Sequence, residues 1–132
     1  MADISWHLVL SLASTGIGMG LVSCFVGMRP KLENPLWGLL YFIWITVVLS
    51  LGSNAPFLTL LLASVLAGLL HGCTSALLID KYIQNNPWHS KQMQGPKSKL
   101  ARRFVTIGLS VGVVFGIVVG GIGWSLSRLL LA

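Results

Sequence analysis

Residues 104–127 read FVTIGLSVGVVFGIVVGGIGWSLS, with no Asp, Glu, Lys or Arg and a glycine at every fourth position from Gly108 through Gly112 and Gly116 to Gly120. About 20 apolar residues in a helix cross the roughly 30 Å hydrocarbon core of a bilayer. The stretch is therefore long enough to span a membrane. Each four-residue step turns a helix by only about 40°, so the four glycines trace one slowly winding groove shallow enough to admit another backbone. In lipid, apolar burial does not drive helix against helix, and small-residue faces and interhelical hydrogen bonds take over that role.

Three further uncharged stretches of comparable length lie upstream, at residues 6–28, 35–51 and 56–79. Backbone groups facing lipid must satisfy one another, which restricts spanning segments to helices or closed barrels, and these unbroken apolar runs lack the alternation of barrel strands. The reading is an all-α membrane protein: one domain over 1–132, four transmembrane helices in an up-down bundle, and a basic loop at 80–103. The first stretch has no basic leader and ends in Met28-Arg29-Pro30, which predicts a retained helix rather than a cleaved signal. Met1-Ala2 lacks the glycine of a myristoylation signal.

Orientation follows from the nine basic residues. Arg29 and Lys31 lie in the first connection, and Lys81, Lys91, Lys97, Lys99, Arg102 and Arg103 in the third, so all but Arg128 share one face. Retention of Lys and Arg on the cytoplasmic side predicts that both termini are non-cytoplasmic and that the basic loops are cytoplasmic, or stromal in an internal photosynthetic membrane.

Small residues recur on two other spans. Ser64, Gly68, Gly72 and Ala76 follow one another on the third, and Gly16 and Gly20 on the first. Two readings compete for these faces. In one they close the bundle internally; in the other at least one faces outward and docks a second copy or a foreign membrane helix. The second span is instead bulky, with Trp37, Tyr41, Phe42 and Trp44, and is expected on the lipid side with Trp37 and Tyr41 at headgroup depth.

His71 is the one imidazole deep in a span. It is expected to make an interhelical hydrogen bond, with a pigment or haem axial ligand as the alternative. His7 and His89 lie at other depths, and no set of ligands suggests a metal site. Cys24 and Cys73 read as small packing residues. Asp80 is expected to pair with Lys81, Arg102 or Arg103. Trp88, Lys91, Lys97, Lys99, Arg102 and Arg103 form a surface suited to anionic lipid headgroups or an acidic partner; nothing matches a nucleic-acid-binding motif. The paired hairpins, each turning through Asn-Pro, suggest a duplicated unit.

No carboxylate pair, no nucleophile with a base at helical spacing and no phosphate-binding glycine loop occurs, so the chain reads as non-enzymatic. The expected function is a membrane accessory or assembly subunit that docks other helices through glycine-rich faces. The alternative is a small homo-oligomeric channel or facilitator for a neutral solute, lined by Ser, Thr and Gly.

Overall fold

The computed structural model describes residues 4–130 and is all-helical. Four helical segments are long and apolar enough to cross a membrane: Trp6–Phe25, Pro30–Ser50, Pro56–Leu77 and Lys97–Leu130. The first consists of α1 (Trp6–Ala13) and α2 (Thr15–Phe25). The hydroxyls of Ser14 and Thr15 donate to the carbonyls of Ser11 and Leu12, both at 2.7 Å. Such local bonds compete with the helical ladder, and the segment is interrupted there. The others are α3 (Pro30–Ser50), α4 (Pro56–Leu77) and α6 (Lys97–Leu130); between α4 and α6 lie the short α5 (Ile79–Asn85) and a 3₁₀ turn (Pro87–Gln92).

Helix starts differ from the sequence reading in two places. Helix α3 begins at Pro30 rather than residue 35, because Pro30 takes the first-turn position where a missing N–H costs nothing. Helix α6 begins at Lys97 rather than 104, directly after Gly95-Pro96. The connection 80–103 is thus largely helical, and α6 measures about 50 Å at 1.5 Å per residue, well beyond the hydrocarbon thickness.

Helix α4 is the hub, with α6 along one side and α1 and α2 along another. Against α6 the contact is backbone on backbone. A Cβ built on Gly68 would overlap the Gly108 carbonyl oxygen, and the reverse holds equally. At Gly72 it would lie 2.6 Å from the Phe104 oxygen, at Gly112 2.6 Å from the Ser64 oxygen, at Gly116 3.0 Å from the Leu61 oxygen and at Gly120 2.9 Å from the Phe57 oxygen. Residue numbers on α4 fall as those on α6 rise, so the pair is antiparallel. Toward α2, a Cβ on Gly16 would strike the Ala67 backbone and one on Gly20 would lie 2.8 Å from Thr74 Cβ, with both numbers rising together. Helices α2 and α4 run parallel.

The second span lies on the outer side as expected, the least buried of the four with Phe42 exposed, but Tyr41 is not in an exposed aromatic belt. Tyr41, Trp44 and Val48 turn inward, with Trp44 only 1% exposed, and join Val9, Leu12, Leu60, Ala63, Ala67 and Val119 in the core. Bulky rings at this interface keep the α3 backbone away from α4 and α6. The two hairpins consequently pack differently, α4 with α6 tightly and α2 with α3 hardly at all. That difference argues against a duplicated unit.

A polar clamp closes the other end of α2. The Asn86 amide is 1% exposed and donates to the carbonyls of Ser23 and Tyr82, both at 2.8 Å, while its oxygen accepts from the Met28 N–H at 3.2 Å. Asn85 donates to the Cys24 carbonyl at 2.8 Å. The last carbonyls of a helix have no partner within it, and here α5 supplies one from some 60 residues away. Gly27, at φ +75°, brings the chain so close that a Cβ would collide with the Asn85 carbonyl.

Three stability measurements follow. Gly108→Ala should lower detergent melting by the equivalent of about 1–3 kcal/mol, since the two backbones must separate. Gly38→Ala, where nothing lies within 4 Å, should be neutral or slightly stabilising. Asn86→Ala should cost about 2–3 kcal/mol through the carbonyls it orphans.

Candidate functional site

The wide separation of α3 from the α4–α6 pair leaves a cavity of about 570 Å³ between the three helices, capped by the 3₁₀ turn. The early start of α3 sets its polar end. Pro30 opens the helix, so Glu33 falls in the first turn and faces His71 across the gap, with Oε1 3.9 Å from Nε2. That is within ion-pair reach and longer than a hydrogen bond. Both side chains are about one-fifth exposed. The same Nε2 lies 3.5 Å from Ser23 Oγ, so an axial bond to a haem or pigment from this nitrogen would displace two neighbours.

One turn along α3, Trp37 stands edge-on to His71, with centroids 5.8 Å apart at 84°. Tyr41 follows at helical spacing, 5.8 Å from Trp37, and its ring lies nearly parallel to Phe115 of α6 at 5.7 Å and 10°. The opposite wall is formed where Gly68 and Gly72 meet Gly108 and Gly112 and presents no side chains. Ile107, Val111 and Phe115 line the cavity while remaining 45–48% exposed, so it opens sideways between α3 and α6. At the capped end His89, Tyr82 and Arg103 contribute, with Arg103 Nη1 donating to the Gln92 carbonyl at 3.0 Å. Burial first, and the neighbouring Glu33 charge second, push the Tyr82 hydroxyl up to about 12. It therefore stays protonated at physiological pH and available as a donor.

The small residues singled out in the sequence lie at contacts within the chain: Gly68, Gly72 and Ser64 against α6, Gly108, Gly112, Gly116 and Gly120 against α4, and Gly16 and Gly20 against α4 from the other side. Ala76 is half-buried near the end of α4. Of the basic set, Lys91, Lys97, Lys99, Arg102 and Arg103 are exposed, and Arg29 lies 5.6 Å over the Trp88 ring. Asp80 does not meet Lys81, Arg102 or Arg103. Its two oxygens lie 2.7 and 2.8 Å from Lys97 Nζ, because α6 starts early enough to bring Lys97 alongside α5.

Glu33 and Asn86 carry much of the polar architecture, yet Glu33 has no place in the sequence reading and Asn86 enters it only as part of an Asn-Pro turn. Arg29-Pro30 was the available signal for Glu33, as a proline at a helix start places the next three residues in the first turn. Among the described residues no three His, Cys, Asp or Glu side chains form a metal-binding group. No protein-family model, curated protein or solved structure matches the chain.

The Asp80–Lys97 pair is about two-thirds exposed on both sides. Asp80→Ala should therefore change detergent melting by less than about 1 kcal/mol, a small effect beside that of Asn86→Ala.

Proposed function

We propose that this chain is a non-catalytic integral membrane protein that binds an amphipathic small molecule taken from the bilayer. The observation that carries the reading is the sideways-opening cavity, apolar along its length and polar at the end where Glu33, His71, His89 and Arg103 converge. Few precisely placed polar groups at one end of an apolar cleft are the usual anatomy of a small-molecule site. His71 supplies a second support, since an ionisable side chain within an apolar span is retained for a function more often than for stability.

In this proposal the four helices alternate up and down, both termini are non-cytoplasmic and the basic segments are cytoplasmic or stromal. The polar end of the cleft then lies at the depth of the inner headgroups, beneath the exposed Lys97, Lys99 and Arg102, which face anionic lipid. An accessory subunit docking helices through glycine faces draws less support, because those faces already hold this chain's own backbone. The same holds for a channel between copies: Ser64, Ser75 and the α4–α6 glycines are buried within one chain.

Native mass spectrometry of the chain ejected directly from membranes tests the reading. One small amphiphile per chain is expected, absent from Val111→Trp, which fills the cleft from an exposed position. A bare wild-type chain, or one carrying a foreign polypeptide and no small molecule, would overturn it.

A further inference from the structure

We infer that the molecule held in the cleft is a single-tailed amphiphile whose head is a flat, uncharged ring bearing hydrogen-bonding oxygens, of the quinone or quinol class. The inference rests on the cleft being a ligand site, as proposed above, and adds the chemistry of its occupant.

Three observations select that head. The first is charge. Glu33 and Arg103 line the cleft with one sign each, so a phosphate head would meet the Glu33 carboxylate and an ammonium head the Arg103 guanidinium. A head with no net charge avoids both conflicts, and a ring does so without burying the two separated charges of a zwitterion, each of which costs desolvation. The second is shape. One wall is bare backbone at the α4–α6 glycines, and the facing wall on α3 is aromatic, with Trp37 and Tyr41 lining it. Planar rings favour offset contacts with aromatic side chains, and a glycine wall lets a ring approach without meeting side chains. The third is hydrogen bonding. The Tyr82 hydroxyl and Arg103 can donate to ring carbonyls, and Glu33 can accept from ring hydroxyls, so both oxidation states of the ring find partners. About 570 Å³ accommodates a substituted ring with the first carbons of its tail, and the rest of the tail leaves between α3 and α6 beside Val111.

Ligand-induced melting shifts in detergent distinguish the head groups with one readout, since a ligand that binds only the folded chain raises its melting temperature. The probes are a decyl-tailed benzoquinone, dodecyl phosphate, dodecyltrimethylammonium and dodecylphosphocholine. The benzoquinone should produce half its maximal shift at a concentration about ten-fold lower than any charged probe, and Tyr82→Phe should weaken it by about ten-fold, the worth of one lost hydrogen bond. Val111→Trp should abolish the shift, and it decides the matter alone if the Tyr82 variant does not fold. A charged probe that binds as well as the benzoquinone would overturn the ring assignment and leave the cleft as the binding site. No shift with any probe, or a benzoquinone shift untouched by Val111→Trp, would overturn both.

Discussion

The contact between the α4 and α6 backbones at Gly68 and Gly108 governs the rest of the molecule. At this spacing carbonyl oxygens of one helix sit against α-carbons of the other, and the attraction comes from dispersion and weak C–H···O contacts summed along the seam. Neither is strong singly. In a hydrocarbon solvent they suffice, because no water competes and exposed leucine gains nothing by burial. Helix α4 repeats the device on its other side, with Ala67 and Thr74 against Gly16 and Gly20. A single helix thus carries two close seams.

Helix α3 cannot join either seam, because its inward face is built from Tyr41, Trp44 and Val48. It packs through side chains at one end and stands off at the other, and the space so created is the cleft. Tightness in one place and looseness beside it are two outcomes of one distribution of residue sizes. The polar groups at the capped end are held by short-range geometry: Pro30 orients Glu33, while Ser23 and Trp37 flank His71.

Much of the scaffold was legible in the sequence. Uncharged length identified the four spans, and four-residue glycine spacing marked the surfaces where backbones meet, since both patterns are local properties of a helix. Partner choice was not legible. Nothing in Gly108 says that it meets Gly68 rather than another copy, and Asp80 found Lys97 only because α6 begins seven residues before its apolar run. Tyr41 and Trp44 suggested lipid by size alone, and burial of their rings depends on the space left by small residues on other helices. Asn85-Asn86 read as a turn. Its bonding to carbonyls of α2 is a long-range fact with no periodic signature.

The parallel seam between α2 and α4 constrains how the chain is made. The first two spans approach each other through side chains in the shared core and not backbone to backbone. The close seam of α2 requires α4, and its carbonyl clamp requires Asn85 and Asn86 at the end of α5. The amino-terminal half therefore depends on the carboxy-terminal half for its place. A chain interrupted before α4 would leave α2 without its seam and without its clamp.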